Sequence, residues 1–248
     1  MAISHQRFGP EVGVPRILAL LAEYDLPATF FVPGETALRH PGAVERILAD
    51  GHEIGHHTHR HRSALGHGPN EERRDFELAL EALQRYGVSP KGHRAAMWEA
   101  SWLTPSLIAE HGLTYDSSLM DRDSPYILEL GDGAEIAEVP PHWSLDDWEQ
   151  YAFLPDPPIG SIINSPPQVA AMWKHELDSM RRHGATFVLT CHPFLSGRAG
   201  RIEALREVIE HALDSGDVEF KSAATVAEAT LADPTSERLK LRPSVDPS

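Results

Sequence analysis

The sequence predicts an α/β fold in which helices cover a parallel sheet, open or closed into a barrel. Short apolar runs typical of buried strands alternate along the chain with amphipathic helical segments, with about seven strands in all. The chain has 248 residues, of which 41% are hydrophobic, so it is long and apolar enough to bury one substantial core. One α/β domain is therefore expected.

The first predicted elements are a helix, a strand and a second helix. Apolar residues recur at helical spacing over residues 14–21, where Pro15 is tolerated only as part of the first turn. Residues 28–32 (ATFFV) predict a short buried strand. Residues 41–50 predict a helix that ends at Gly51, and a brief strand follows it.

The alternation continues through the middle of the chain. Asn70 is predicted to cap a helix that Gly87 ends, and a short strand leads into the GHR segment. A further helix is predicted over residues 104–112, and residues 136–140 predict a weaker strand. The remaining predicted elements are a helix from Ser165, a clear buried strand at 186–191 (TFVLTC), a helix at 202–212, a strand at 218–220 (VEF) and a helix at 226–231.

The predicted domain covers residues 1–232, and a polar, proline-containing tail over residues 233–248 is predicted to be disordered. A repeating strand–helix unit begins here with its helix. The strand expected before Phe8 is therefore absent from the pattern, and the domain is interpreted as N-terminally incomplete.

Composition excludes several classes of function. Asp and Glu total 37 against 22 Lys and Arg, so the formal charge of −15 repels phosphate backbones and anionic lipids, and neither nucleic acid nor a membrane is expected as a partner. Cys191 is the single cysteine, which rules out an internal disulfide and a cysteine-rich metal site. No apolar run approaches the ~18 residues of a membrane span, and no signal peptide precedes the first helix, so a cytoplasmic location is expected.

Histidines are concentrated in the segment GHEIGHHTHRHRSALGH. His57 and His61 are four residues apart, so on a helical turn their imidazoles would face the same way and could bind one metal ion. His52 and His56 have the same spacing. The spacing alone is compatible with a metal site or with a histidine-rich loop.

The run PATFFVPGETALRHPGAVERILADGHEIGHHTHRH resembles the polysaccharide deacetylase (NodB-homology) family, which comprises metal-dependent amide hydrolases built on an irregular α/β barrel. In that family a GHEIGNHT..H segment follows a TFFV strand, and its histidine pair holds a zinc-like ion. The resemblance implies that His57 and His61 are the metal ligands here. It implies a structural role for His52 and His56.

Later segments are similar to the family in the same order. GHRAAMW resembles the YRAP.W segment, which makes Arg94 the residue that orients a catalytic aspartate, with Ala96 where the family usually has proline. YDSSLM resembles the segment that builds the pocket wall near its mouth. The resemblance implies substrate-binding roles for Trp98, Asp116 and Ser117.

LTCHPFLSGRAGR resembles the last motif of the family, whose histidine is the general acid, and the match is His192. HWSLDDW is similar to the branch that contains cytosolic amide and cyclic-imide hydrolases. Asp146 and Asp147, between two tryptophans, are interpreted either as substrate-binding carboxylates or as loop solvation.

One departure from the family affects the mechanism. Family members carry an aspartate pair at the end of the first strand, one aspartate serving as general base and the other as third metal ligand. The opening residues MAISHQRFGPEVGVPRIL resemble sequence downstream of that pair. A chain extended upstream is expected to carry both aspartates and to be more stable and more active.

The leading hypothesis is a metal-dependent hydrolase of non-peptide C–N bonds, either an N-acetyl deacetylase or an amidase of cyclic imides or ureides, and zinc is the divalent metal expected. The composition favours a small-molecule or sugar amide inside the cell, and a homo-oligomer is left open. A second hypothesis is a truncated remnant that binds metal or ligand without turnover. A third is a sugar-binding barrel without metal.

Overall fold

The computed structural model describes residues 6–131, 133–155, 158–160 and 162–241. The strands are β1 (Thr29–Val32), β2 (Glu53–His56), β3 (Gly92–His93), β4 (Tyr115–Asp116), β5 (Tyr126–Glu129), β6 (Glu135–Glu138), β7 (Leu154–Pro155), β8 (Pro158–Ile159) and β9 (Arg238–Lys240). The helices are α1 (Val14–Glu23), α2 (Gly34–Arg39), α3 (Pro41–Ala49), α4 (Pro69–Gln84), α5 (Thr104–Glu110), α6 (Asp147–Tyr151), α7 (Pro166–His183), α8 (Pro193–Ser196), α9 (Ala199–Ser215) and α10 (Ala223–Ala232). The predicted α/β class is confirmed.

The chain divides into two compact units where the sequence predicts one domain. We call Pro27–Pro140 with Lys221–Ser248 the sheet unit, and Met1–Leu26 with Pro141–Phe220 the helical unit.

The sheet unit contains a seven-stranded sheet in the order β1-β2-β3-β4-β6-β5-β9. Neighbouring strands are parallel except β5 and β6, which pair antiparallel with Tyr126 opposite Glu138. The sheet is therefore mixed and not wholly parallel as expected. Strand β5 was not predicted, because its run YILE is short and lies next to its partner without a helix between them.

Apolar side chains from both helices and strands form the core of the sheet unit. This core comprises Phe76, Leu107, Ile108, Leu113, Tyr126, Leu128, Leu130 and Ile136. Helix α4 begins at Pro69, whose missing N–H is tolerated at the first helical position, and its cap residue is Gly68. The expectation that Asn70 is the cap is therefore wrong.

The predicted disorder of the tail is also wrong for its first residues. Strand β9 pairs in parallel with β5, with Leu239 opposite Leu128. Its alternating side chains place Leu239 against the core, which the polar composition of the tail concealed. Residues 242–248 of the predicted tail lie outside the described residues.

The helical unit is organised around α7 and α9. Its core comprises Leu145, Tyr151, Ala152, Val169, Ala170, Trp173, Leu195, Ala204 and Val208. The buried indole of Trp173 donates to the carbonyl O of Ser144 at 3.0 Å, which ties the loop before α6 to α7. No helix within the described ranges combines the length and apolar composition needed to cross a bilayer.

The first helical segment differs from its prediction. Residues 6–8 are helical, Gly9–Gly13 form a π-helical turn, and α1 continues from Val14. Pro15 is therefore not in the first turn of the helix as a whole. The π turn, closed by the Val14 N–H on the Gly9 carbonyl, widens the helix where Pro15 supplies no N–H.

Two predicted strands of the helical unit do not form. In residues 186–191 only Thr190 makes a β-bridge, to Asp146, and residues 218–220 are irregular. An apolar run becomes a strand only when neighbouring backbone supplies a ladder of hydrogen bonds. The Asp146–Thr190 bridge forms at the point where the chain approaches His192.

Candidate functional site

His57 and His61 lie on the loop that follows β2. The loop is not helical, because Thr58 (φ 59°) and His61 (φ 52°) adopt left-handed backbone conformations. The His61 N–H donates to the Thr58 hydroxyl at 3.1 Å. The two imidazole centroids are nevertheless 4.8 Å apart, with the rings at 75°. The structure thus brings the predicted pair together through a strained loop and not through the predicted helical turn.

The ring of His57 is oriented by the backbone of Arg94. Its Nδ1 lies 2.7 Å from the Arg94 carbonyl O. Because a carbonyl oxygen only accepts hydrogen bonds, Nδ1 carries the proton and Nε2 carries the lone pair. A carbonyl behind the imidazole is a usual partner of a metal-binding histidine. The donor set of His57 and His61 therefore fits a zinc-type ion.

His56, one residue away, is a different kind of histidine. It is fully buried, its Nε2–H donates to the Phe76 carbonyl at 3.0 Å, and its Nδ1 accepts from His93 Nδ1 at 2.7 Å. Burial lowers the pKa of His56 to about 4, so the ring is neutral. His52 lies before β2, with its ring centroid 5.6 Å from that of Phe30. Since both nitrogens of His56 are occupied, the alternative pair offers no free lone pair at this ring.

Arg94 is buried and is held by Ser117. Its Nε donates to the Ser117 carbonyl at 3.1 Å and its Nη2 to the Ser117 hydroxyl at 2.7 Å, while the guanidinium lies 4.3 Å from the Phe31 ring centroid. The Ser117 hydroxyl in turn donates to the Val139 carbonyl at 2.7 Å. Ser117 therefore fixes the position of Arg94.

The sequence analysis expects Asp116 and Ser117 to lie near the open mouth of the pocket. The structure places neither residue there. Both are 0% exposed, and Asp116 Oδ1 accepts from the Ser118 hydroxyl at 2.8 Å. A fully buried side chain cannot line an open pocket, so both residues are structural groups behind the surface. Trp98 is 9% exposed and has a left-handed backbone (φ 55°).

In the helical unit, Asp147 and His192 form a hydrogen-bonded pair. His192 Nδ1 lies 2.7 Å from Asp147 Oδ1, and the His192 N–H donates to the same carboxylate at 2.9 Å. The backbone N–H and the hydroxyl of Ser196 donate to Asp147 Oδ2. Both oxygens of the fully buried Asp147 are thus occupied, and the carboxylate holds the start of α8 as well as the imidazole.

The charges around His192 favour its imidazolium form. Burial opposes that form, but the carboxylates of Asp146, at 3.4 Å, and Asp147, at 2.7 Å, outweigh it and raise the pKa of His192 to about 10. His192 is therefore protonated at neutral pH. An imidazolium beside the reacting amide could serve as a proton donor.

Asp146, Asp147 and His192 are also the one set of three possible metal ligands, within the described residues, whose atoms lie within 4.8 Å of one another. Asp146 Oδ1 accepts from the Trp148 N–H at 2.7 Å, and Asp147 has no unoccupied oxygen. The set is better described as an ion pair than as a metal site, because a cation would displace these donors.

Three functional candidates were missed by the sequence analysis. Ser196 follows His192 by four residues, so a short helix after the histidine would have indicated it. Ser118 directly follows Asp116 and Ser117, the two residues that the motif YDSSLM indicates. Glu138 stands in the predicted strand 136–140, where a carboxyl group within an apolar run was the available signal.

Comparison with known proteins decides the family. The family profile described as polysaccharide deacetylase matches residues 8–115. A peptidoglycan deacetylase of Helicobacter pylori is 31% identical over 235 residues, covering 84% of this chain and 80% of the relative. The chain belongs to the polysaccharide deacetylase family. A chitooligosaccharide deacetylase of Sinorhizobium fredii is 32% identical to this family member over 63% of the chain and 61% of the relative.

Solved structures agree with the polysaccharide deacetylase assignment. A crystal structure of a Mycobacterium smegmatis protein described as a polysaccharide deacetylase has 47% identity and a TM-score of 0.93, over 98% of this chain and 85% of that one. The structure of Puue allantoinase has 26% identity and a TM-score of 0.81, over 91% of this chain and 74% of that one. The protein is thus a hydrolase of the polysaccharide deacetylase type.

Proposed function

We propose that the protein is a metal-dependent deacetylase that hydrolyses the acetamido group of N-acetylated amino sugars. The observation that carries the proposal is the ion pair of His192 with Asp147, since it keeps a proton donor charged at neutral pH. The names of the relatives, peptidoglycan deacetylase and chitooligosaccharide deacetylase, support this substrate class.

Amide hydrolysis requires a proton for the departing nitrogen. His192 Nδ1–H is directed at Asp147, so Nε2–H is the proton available to the amine. Once that proton is transferred, the neutral imidazole keeps Nδ1–H on Asp147 and its orientation does not change.

His57 and His61 are the proposed ligands of a zinc ion. When bound, such an ion polarises the amide carbonyl and lowers the pKa of water from ~15.7 toward ~7. The Arg94 carbonyl orients the His57 ring and fixes the proton on Nδ1, which makes Nε2 the proposed ligand atom. The buried Ser117 contacts keep Arg94, and hence that carbonyl, in place.

A second candidate is hydrolysis of a ureide ring amide. The similarity to Puue allantoinase over 91% of the chain favours it, as does the same need for a proton on a leaving nitrogen. The third candidate, metal or ligand binding without turnover, is favoured by the ligand count. Among the described residues no carboxylate completes a close three-ligand set with His57 and His61, whereas catalytic zinc usually has three protein ligands. The cytoplasmic location and the homo-oligomer stay predictions.

The metal assignment predicts a selective loss. Protein purified with zinc should contain one equivalent, and His57→Ala or His61→Ala should remove it, because each replaces one of two imidazole ligands. His52→Ala is the matched control from the same segment and should keep the metal. Metal analysis after dialysis provides the measurement. Loss of zinc from His52→Ala with retention in His57→Ala would show that His57 and His61 are not the zinc ligands.

Activity assays on the same purified protein distinguish the three candidate functions. Acetate release from chitooligosaccharides and ring opening of allantoin are measured in parallel, with His192→Ala as the variant. For the true substrate, loss of the general acid should lower turnover roughly 10²–10⁴-fold without changing metal content. Zinc binding with no hydrolysis of either substrate would favour the third candidate.

A further inference from the structure

Asp116 and Glu138 form a buried pair of carboxyl groups within the sheet unit. They are register partners on the adjacent parallel strands β4 and β6, so their side chains project from the same face. Both residues are 0% exposed. Asp116 Oδ2 and Glu138 Oε2 are buried and have no hydrogen-bond partner.

The other oxygen of each carboxyl group holds the chain just after β4. Glu138 Oε1 accepts the backbone N–H groups of Ser118 and Leu119, both at 2.9 Å. Asp116 Oδ1 accepts the Ser118 hydroxyl at 2.8 Å. Each carboxyl group therefore uses one oxygen for this turn, and its other oxygen is the unpartnered one.

Two ionised carboxylates side by side in this buried position would repel each other and lose their hydration. Burial raises the pKa of Asp116 to about 7, and burial together with the charge of Asp116 raises the pKa of Glu138 well above its usual range. The titratable and charged groups that act on the pair are Arg94 after β3, Tyr115 on β4, Tyr126 on β5 and Asp121 after β4. Arg94 directs Nε and Nη2 to Ser117.

We propose that Asp116 and Glu138 share one proton between Oδ2 and Oε2, and that this pair is a positioning element for Arg94. One shared proton satisfies both unpartnered oxygens. It leaves one negative charge, which the two backbone N–H groups at Glu138 Oε1 and the Ser118 hydroxyl at Asp116 Oδ1 stabilise.

The pair reaches Arg94 through two serines. The Ser118 hydroxyl, held by Asp116, accepts the Ala95 N–H at 2.9 Å. Ser117, fixed between β3 and β6 by hydrogen bonds to His93 and Val139, accepts both guanidinium contacts. Through the Arg94 carbonyl, this network supports the ring of His57. The link to catalysis rests on the proposed function, whereas the shared proton does not.

A double-mutant cycle tests the shared proton without any assay of activity. In Glu138→Gln the amide NH₂ can donate to Asp116 Oδ2, and in Asp116→Asn it can donate to Glu138 Oε2, so each single variant should keep nearly the wild-type melting temperature. In the double variant the amide oxygens keep the contacts to the Ser118 and Leu119 N–H groups and to the Ser118 hydroxyl, so the two NH₂ groups face each other, and turning either amide breaks one of those contacts. Its melting temperature should fall by about 2–8 °C more than the sum of the single changes. Additive changes would overturn the shared proton.

The pH dependence gives an independent measurement. A raised folded-state pKa contributes stability that is complete at low pH and is lost as pH rises. The pair loses its first proton near the pKa of Asp116, about 7, and keeps the shared proton above that pH because the pKa of Glu138 is raised well above its usual range. The melting temperature of Glu138→Gln relative to wild type should therefore increase between pH 5 and pH 9. Glu135→Gln, at the exposed end of the same strand, is the control and should show no such trend. A flat difference for Glu138→Gln would contradict the proposal.

The positioning role is tested on whichever substrate is turned over. Glu138→Ala should lower kcat about 10-fold to 100-fold with little change in KM, and Glu138→Gln should restore most of the loss. Equal losses in the two variants would overturn the positioning role. If neither substrate is hydrolysed, the proposed function fails, and zinc retention then tests the positioning network. Weaker zinc binding in Glu138→Ala than in Glu138→Gln would support the network. Equal zinc binding in the two variants would overturn it.

Discussion

At the scale of single residues, three histidines differ in protonation and environment because their ring nitrogens have different partners. His56 is buried with both nitrogens occupied, which makes it a structural group. His57 carries its proton on Nδ1, because that nitrogen lies 2.7 Å from the Arg94 carbonyl O. His192 faces two carboxylates, which hold it as an imidazolium. The partner on the second ring nitrogen, and not the motif alone, determines each state.

Asp147→Asn should shift the pH profile of the enzyme. Asp147 is one of the two carboxylates that raise the pKa of His192 to about 10, so its neutral replacement should bring that pKa down toward the usual value. If His192 is the general acid proposed above, it acts when protonated, and the alkaline limb of kcat should therefore move down by about 1–2 pH units.

A pH–rate profile of the two proteins makes the measurement. Glu149→Gln, an exposed carboxyl group on the same helix α6, is the matched control and should leave the limb in place. An unchanged limb in Asp147→Asn would show that Asp147 does not set the protonation of His192.

At the scale of elements, the loops after β2 and β3 and the turn before α8 carry the backbone features that place the candidate residues. Four residues other than glycine have left-handed backbones in the first two loops: Thr58, His61, Met97 and Trp98. Such conformations cost about 1–3 kcal/mol each and persist only where surrounding contacts enforce them. In the helical unit, the π turn instead packs directly against α8 through Gly13.

Gly13→Ala should destabilise the protein. A Cβ at Gly13 would lie 2.1 Å from the Pro193 carbonyl O, a backbone atom next to His192 that cannot move aside alone. Overpacking of this kind typically costs about 1–3 kcal/mol, which corresponds to a lower melting temperature by several degrees.

Thermal unfolding followed by circular dichroism checks this expectation. Gly42→Ala is the control, because a Cβ at Gly42 in α3 meets nothing within 4 Å and alanine is the better helix former. Its melting temperature should be equal or higher. A wild-type melting temperature in Gly13→Ala would mean that the π turn does not pack against α8 as described.

At the scale of the whole molecule, the formal charge of −15 governs which macromolecules the protein can approach. Phosphate backbones and anionic lipid surfaces repel a protein of this charge at low ionic strength, where screening is weakest.

The protein should therefore show no salt-dependent binding to duplex DNA or to vesicles of anionic lipid. Fluorescence anisotropy of a labelled duplex and vesicle co-sedimentation, both at about 50 mM salt, provide the test. A Kd in the micromolar range that weakens as salt is added would contradict the expectation, since it would reveal a basic surface that the net charge hides.

The sequence by itself determined the α/β class, the family and the order of most elements. Strand β1 and helices α3, α5, α7, α9 and α10 follow from local periodicity, proline and glycine, which act over a few neighbouring residues. The motif resemblance likewise required only the order of residues along the chain, and the comparisons confirmed the family it indicated.

Only the tertiary structure decided which side chains meet. Residues 186–191 are apolar enough for a strand but pair only at Thr190, while the polar segment at Arg238–Lys240 does pair, because strands depend on partners that are distant in sequence. The contact of Asp147 with His192 spans 45 positions, and the pairing of Asp116 with Glu138 depends on strand register. Burial and long-range hydrogen bonds set the charge of such groups, and neither is encoded in local sequence.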